Sequence, residues 1–314
     1  MLVVIARRLA ATVPSLLGAS VIVFLLLNVL PGDPLAAVVS PEATQAERDE
    51  VARRLGLTDP LPIRYGRWIA NAARGDLGES LARRRPVAEV IGTAFANTLL
   101  LASAAALIGL TTGIVLGTLA ALRAGGLVDR LVSVASVLGL SVPSYWLAVL
   151  LIIAFSASLR WLPAAGMYGS DENLPDLLRH LIMPALATSA VTIGLTARMT
   201  RASLIEMFSE DFVLALRAKG LSQRQILWHV TKNAAPPIMT VAGLQIAYLL
   251  SGSILVETIF SWPGMGQLIF QSIAARDLQV IQSSVLLIAV TFVVANLVID
   301  VLQIVVNPRL RRAG

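Results

Sequence analysis

Few residues of this 314-residue chain could do chemistry, and most of them lie in apolar surroundings. The chain has two histidines, His180 and His229, and no cysteine. Disulfides, thiolate metal sites and a cysteine nucleophile are thereby excluded, while the redox compartment stays open. No Gly-Lys pair occurs, which removes the phosphate loop of nucleotide hydrolases. Gly-x-Ser-x-Gly and His-Glu-x-x-His are absent too, so neither an activated serine nor a two-histidine zinc site is readable. Neither a metal nor a cofactor is expected. The remaining polar residues are strung along helices. Asn296, Asp300, Gln303 and Asn307 recur at intervals of four, three and four, which places them on one helix face. Gln245, Tyr248, Ser251 and Gly252 make a similar face, closed by Glu257. Such stripes either join helices by hydrogen bonds or line a water-filled path, because a carboxylate facing lipid is costly. Glu257 reads either as an interfacial helix-end charge or as a gate. Ser141-Val142-Pro143-Ser144 adds a proline kink flanked by hydroxyls, which fits a cavity wall and ordinary packing alike.

The elements that must position these residues are set by composition. Apolar residues make up 56% of the chain and charged ones 14%, with a mean hydropathy of +0.78. A soluble domain carries roughly 25% charged residues, so a polytopic membrane protein is expected. Six stretches lack Asp, Glu, Lys and Arg: Leu9–Leu30, Val90–Leu122, Leu131–Leu159, His180–Ala197, Asn233–Val256 and Leu278–Ile299. Each is near or above the roughly 20 residues that cross a bilayer as a helix. The first follows Arg7 and Arg8, yet it is too long for a signal-peptide core and lacks a cleavage site, so it reads as a span. His180–Ala197 is the shortest and contains Pro184. Short loops on the side of the N-terminus hold most of the Arg and Lys, and both termini are therefore expected in the cytoplasm. The net charge of +6 is a topology signal, not a nucleic-acid footprint. The expected organisation is a first helix within 1–30, an external loop over 31–89, a five-helix core over 90–306, and a cytoplasmic tail over 307–314.

Two segments are patterned for contact. In the second span Ala105, Gly109, Gly113, Gly117 and Ala121 form a small-residue stripe that lets another helix approach closely. The inner loop 198–232 has six basic and three acidic groups, too polar to span. Within it Val213, Leu214, Leu216 and Leu221 alternate with Arg217 and Lys219 at helical spacing. Gly220 supplies a helix stop, and Ser222 with Gln225 forms a capping box for the next helix. Either an amphipathic helix on headgroups or a dock for a cytoplasmic partner would look like this. Because Gly220 breaks the apolar face, the dock is favoured. Three functions fit so far: a transport subunit powered by a separate ATPase, a self-sufficient transporter or channel, and an intramembrane enzyme. The missing nucleophile and metal constellations disfavour the last. No paired intramembrane acids suggest proton coupling.

Along nearly its whole length the chain resembles permeases of dipeptide/oligopeptide/nickel-class ABC importers, specifically the first of the two permease subunits. The resemblance rests on Leu30-Pro31-Gly32-Asp33-Pro34, Gly75-Asp76-Leu77-Gly78-Glu79-Ser80, Asn97-Thr98-Leu99, Ser141-Val142-Pro143 and Leu162-Pro163-Ala164-Ala165-Gly166. It rests most on Arg217-Ala218-Lys219-Gly220-Leu221-Ser222, Asn233-Ala234, Glu257 through Gly266, and Asn307-Pro308-Arg309-Leu310-Arg311. The resemblance implies an all-α type I permease fold that pairs with a second, homologous permease around a central path. It implies two cytoplasmic ATPase domains and an extracytoplasmic substrate-binding protein that delivers peptide-like cargo. The chain itself would be non-catalytic and sit in the bacterial inner membrane. Phe212, Arg217, Ala218, Lys219, Gly220, Leu221 and Ser222 would then form the coupling helix that meets the ATPase. Ser141, Gln245, Ser251, Glu257, Asn296 and Asp300 are candidates for the path. Trp262, Pro263, Gly264, Met265 and Gly266 are candidates for the binding-protein contact, with the outer loop. The pattern departs from the family at Leu214-Ala215-Leu216, usually Arg-Thr-Ala, at Phe212, usually Tyr, and at Asn307, usually Asp.

Overall fold

The computed structural model describes the backbone of residues 2–29, 42, 44–54, 58–169, 173–251 and 254–306. The Pro31–Pro34 motif, Gly252 and the tail 307–314 lie outside the described residues, as do the side chains of Asp300 and Gln303.

The chain begins with α1 (Leu2–Val29), followed by α2 (Gln45–Arg54) and α3 (Leu61–Ala73). A two-residue hairpin, β1 (Glu79–Ser80) against β2 (Arg85–Pro86), pairs Glu79 with Pro86 and Ser80 with Arg85. The 36-residue helix α4 (Val87–Leu122) starts after Pro86, with Glu89 in its first turn where the helix dipole favours an anion. It is about 54 Å long at ~1.5 Å per residue, so its ends project beyond the hydrocarbon. Next come α5 (Leu127–Ser141) and α6 (Ser144–Leu151), the latter continuing as a π-helical segment, Ile152–Ser158. The 35-residue α7 (Leu174–Phe208) is capped by Asn173, whose side chain accepts from the Asp176 N–H. It continues unbroken through Pro184 and extends well past the predicted span His180–Ala197. Then follow α8 (Asp211–Ala218), α9 (Gln223–Leu250), α10 (Ile254–Ile259), α11 (Met265–Ala274) and α12 (Leu278–Val306).

Val87–Leu122, Leu174–Phe208 and Leu278–Ile299 are each long and apolar enough to cross a membrane. The predicted third span, Leu131–Leu159, is not one rod. It folds into two 15-residue halves, Leu127–Ser141 and Ser144–Ser158, inclined at 103°. Each half is about 22 Å long, too short to cross about 30 Å of hydrocarbon unaided. Pro143 is the cause: it has no N–H to continue the ladder, and it forces Val142 into extended backbone at ψ 120°. The predicted fifth span, Asn233–Val256, is likewise interrupted, because α9 closes at Leu250 and α10 resumes at Ile254.

Helix α7 is the hub, packed against α4, α5, α6 and α9. The glycines of the small-residue stripe on α4 are used in this packing. A Cβ added at Gly109 would come within 2.7 Å of the Thr192 methyl, and one at Gly113 within 2.7 Å of Thr196. Small residues here let two backbones close up in a setting where lipid offers no hydrophobic drive between helices. Outside the bundle, α3 leans on α1 through an aromatic cluster. Phe24 meets Tyr65 at 5.4 Å and Trp68 at 6.1 Å, and the hydroxyls of Ser20 and Tyr65 share a 2.8 Å bond.

Candidate functional site

The chain builds two ordered assemblies at opposite ends of α9, about 42 Å apart for its 28 residues. The first is a joint between α8 and α9. Asp211 in the first turn and Arg217 in the last turn of α8 both complement its dipole. Val213 is buried, and Phe212, Leu216 and Leu221 pack half-buried beside it on Leu204, Ile226 and Val230. Gly220 stops the helix at φ +77°, a left-handed backbone that suits glycine. The Leu221 N–H reaches back to the Leu216 carbonyl at 3.2 Å, and the Gly220 N–H to Arg217 at 2.9 Å, closing a Schellman turn. The Gln225 side chain then accepts from the Ser222 N–H at 2.9 Å, restarting the chain as α9. Of the seven residues expected to couple, Arg217, Ala218, Lys219, Gly220 and Ser222 are exposed, whereas Phe212 and Leu221 are half-buried. Leu214 is 69% exposed and shares a face with Arg217 and Ala218, three and four residues on. The apolar periodicity placed Leu214 with the internal residues; the structure places it on the display face.

The second assembly is a clasp between α4, α10 and α11. Glu257 is fully buried in α10 and accepts from three donors: the Thr98 hydroxyl at 2.9 Å and the N–H groups of Gly266 at 2.7 Å and Gln267 at 3.3 Å. It thus neutralises the N-terminus of α11 from outside that helix. Thr98 also accepts from the Met265 N–H at 2.8 Å. Trp262 donates to the Asn97 carbonyl, and Asn97 to the Pro263 carbonyl, each at 2.9 Å. Of the residues expected to touch a binding protein, Trp262, Gly264, Met265 and Gly266 are interior and Pro263 alone is exposed. The outward surface of α11 is made instead by Phe270, Gln271 and Ile273.

A neighbouring bond ties the outer loop to the same region. Asp277 is fully buried and accepts from the Ser80 hydroxyl at 2.5 Å, while Arg83 reaches Gln271 at 2.8 Å. The Gly75–Ser80 motif is therefore docked on the α11–α12 turn. The sequence offered no hint of this partner, because Ser80 and Asp277 are 197 residues apart.

The path candidates are dispersed. Ser141 is exposed at the break after α5. Gln245 is buried and accepts from Thr192 of α7 at 3.1 Å. Ser251 is half-buried and donates to the Ala247 carbonyl at 3.0 Å. Asn296 is half-buried and donates to the Phe292 carbonyl at 2.8 Å. Near the joint, Asp129 at the start of α5 is gripped by Arg201 of α7 through two nitrogens, one at 2.8 Å, and by the Gly125 N–H at 2.9 Å. Among the described residues no cluster of three or more acidic or histidine groups could hold a metal ion.

Neither assembly holds a nucleophile or a proton relay; one displays a helix turn and the other braces the fold. Residues 113–312 match the family described as the inner membrane component of binding-protein-dependent transport systems, and residues 1–103 match its N-terminal companion. The chain belongs to this family. It is an ABC importer permease of the dipeptide/oligopeptide class, a non-catalytic transport subunit and a multi-pass membrane protein. The permease is 39% identical to the di/tripeptide transport system permease protein DppB of Pseudomonas aeruginosa strain UCBPP-PA14, over 99% of each chain. It is 40% identical to the glutathione transport system permease protein GsiC of Escherichia coli strain K12, again over 99% of each. One chain of the MetNI methionine ABC transporter, solved in inward-facing conformations, shares the fold at a TM-score of 0.57 and 18% identity. That match covers 69% of the permease and 96% of the other chain. Permeases of this family work with a second permease, an ATPase and a binding protein.

Proposed function

We propose that this chain is the first permease of a heterodimeric importer for di- or oligopeptides, glutathione included, in the bacterial inner membrane. Six crossings put both termini in the cytoplasm, with 1–30 as the first helix, 31–89 outside, 90–306 as the core and 307–314 as an inner tail. ATP is hydrolysed by separate subunits, and the stroke enters through the coupling segment 212–222.

The observation that carries this reading is the α8–α9 joint. A short helix braced from behind by Val213 and Leu216 and ended by a fixed glycine turn presents Leu214, Arg217, Ala218 and Lys219 outward as a rigid peg. A lipid-resting helix would instead bury its apolar side in the membrane and leave its charges in water. On the far side, Pro263, Phe270 and Ile273 together with the docked outer loop offer the surface for the binding protein. We place Ser141, Ser251, Asn296 and Asp300 along the path, with Gln245 and Glu257 setting its walls from within.

Mild-detergent purification of the tagged permease tests the reading. A second permease and a nucleotide-hydrolysing subunit should co-purify, and peptide uptake into vesicles should require ATP. Recovery of a lone chain that moves solute without ATP would overturn it.

A further inference from the structure

One face of α9 serves neither the joint nor the clasp. Arg224, Trp228 and Lys232 recur every four residues and therefore share a helix face. Ile226, Val230 and Ala234 are the buried positions of this stretch, so the face looks away from the core, and Trp228 is 62% exposed. The Lys232 ammonium lies 5.3 Å from the centre of the Trp228 ring. Alongside runs an open groove of about 590 Å³ bordered by Leu221, Arg224, Leu227, Trp228 and His229. Among the described residues lining it, none is acidic.

We infer that this groove binds the headgroup of an anionic phospholipid of the inner leaflet. The inference rests on the proposed cytoplasmic placement of the joint, and depth supports it. The uncharged stretch of α9 begins at Asn233, which puts Trp228 about 7.5 Å toward the cytoplasm at ~1.5 Å per residue. The headgroup layer of one leaflet is about 5–8 Å thick, the level at which tryptophan is enriched. Lys232 sits at the upper edge of that layer as a point charge for a phosphate. Arg224 approaches from the water side with a fork that matches phosphate oxygens. A phosphatidylcholine headgroup would bring its own cation to these two; a phosphatidylglycerol headgroup would not.

Native mass spectrometry of the complete complex, released from nanodiscs holding equal phosphatidylglycerol and phosphatidylcholine, tests this. The wild type should retain phosphatidylglycerol, and Arg224→Gln with Lys232→Gln should lower that occupancy at least tenfold, with phosphatidylcholine and the ATPase subunits unchanged. Equal retention in both proteins overturns the inference. So does a variant that keeps the lipid and loses the ATPase, which would make the stripe part of the ATPase dock. If the double variant does not assemble, brominated lipids decide with wild type and Trp228→Phe. Brominated phosphatidylglycerol should quench the fluorescence that Trp228 contributes more than brominated phosphatidylcholine does, and equal quenching overturns the site. Labelling of an Arg224→Cys variant from outside intact cells would sink the proposed topology, a separate failure.

Discussion

The two ends of α9 carry motifs of similar texture, short runs of glycine, charge and aliphatic residues, and put them to opposite physical use. At the joint, the Arg217 and Lys219 side chains stand in solvent, with no side-chain hydrogen bond or ion pair among the described residues. At the clasp, Glu257 is fully buried and saturated by three donors. The joint places apolar side chains inside and keeps its charged groups for display. The clasp spends its polar atoms internally and leaves Ser261 and Pro263 as the exposed members of the turn. What separates display from bracing is whether the charged groups find partners within the same chain, and residue types alone do not reveal that.

Perturbing each end in turn should separate transport from stability. The largest effect is expected from reversing charge at the joint. Arg217→Glu with Lys219→Glu should abolish ATP-driven uptake while the melting temperature in detergent stays within a degree or so, because exposed substitutions rarely move stability by more than about 0.5 kcal/mol. A matching loss of stability would mean that the joint braces the fold as the clasp does. Glu257→Ala should do the reverse. It strands the N–H groups of Gly266 and Gln267 and the Thr98 hydroxyl in a buried site, at a cost of about 3 kcal/mol. Melting should fall by several degrees, and Glu257→Gln should recover part of the loss. An unchanged melting curve would remove the clasp from the comparison.

Gly220→Ala sharpens the picture at the joint. An added Cβ would meet nothing within 4 Å, so the penalty is that of φ +77° alone, about 1–2 kcal/mol. Amide exchange should rise around 216–222 and stay unchanged at 257–267. The smallest effect is expected at Asp129, whose carboxylate is bonded to Arg201 and to the Gly125 N–H. Asp129→Asn should lower the unfolding midpoint by less than Glu257→Ala does, and an equal loss would rank this pair with the clasp as a brace.

Much of the joint was legible in advance, since Gly220, Ser222 and Gln225 act locally and the helix stop and capping box are backbone effects within six residues. The small-residue stripe on α4 was legible for the same reason: its period is that of the helix. Tertiary partners were not. Neither Ser80–Asp277 nor Asp129–Arg201 leaves a trace in spacing, because each joins residues 72 or more positions apart. The burial of Trp262 and Met265 was hidden likewise, because it depends on Asn97 and Thr98 of α4. Pro143 signalled a bend, while the 103° amplitude and the packing of both halves on α7 left no trace in the spacing.

That dependence has a consequence for how the chain is made. The uncharged run through Pro143 leaves the ribosome with its break already encoded, because the missing N–H acts locally. Its two halves draw most of their packing from α7: Ser136 and Leu140 face Gly194, and Ala148 packs with Met183 and Ala187. At about 5–20 residues per second, the 50 residues from Ser158 to Phe208 take roughly 2.5–10 s to synthesise. For that interval the two halves lack the helix that supplies most of their packing.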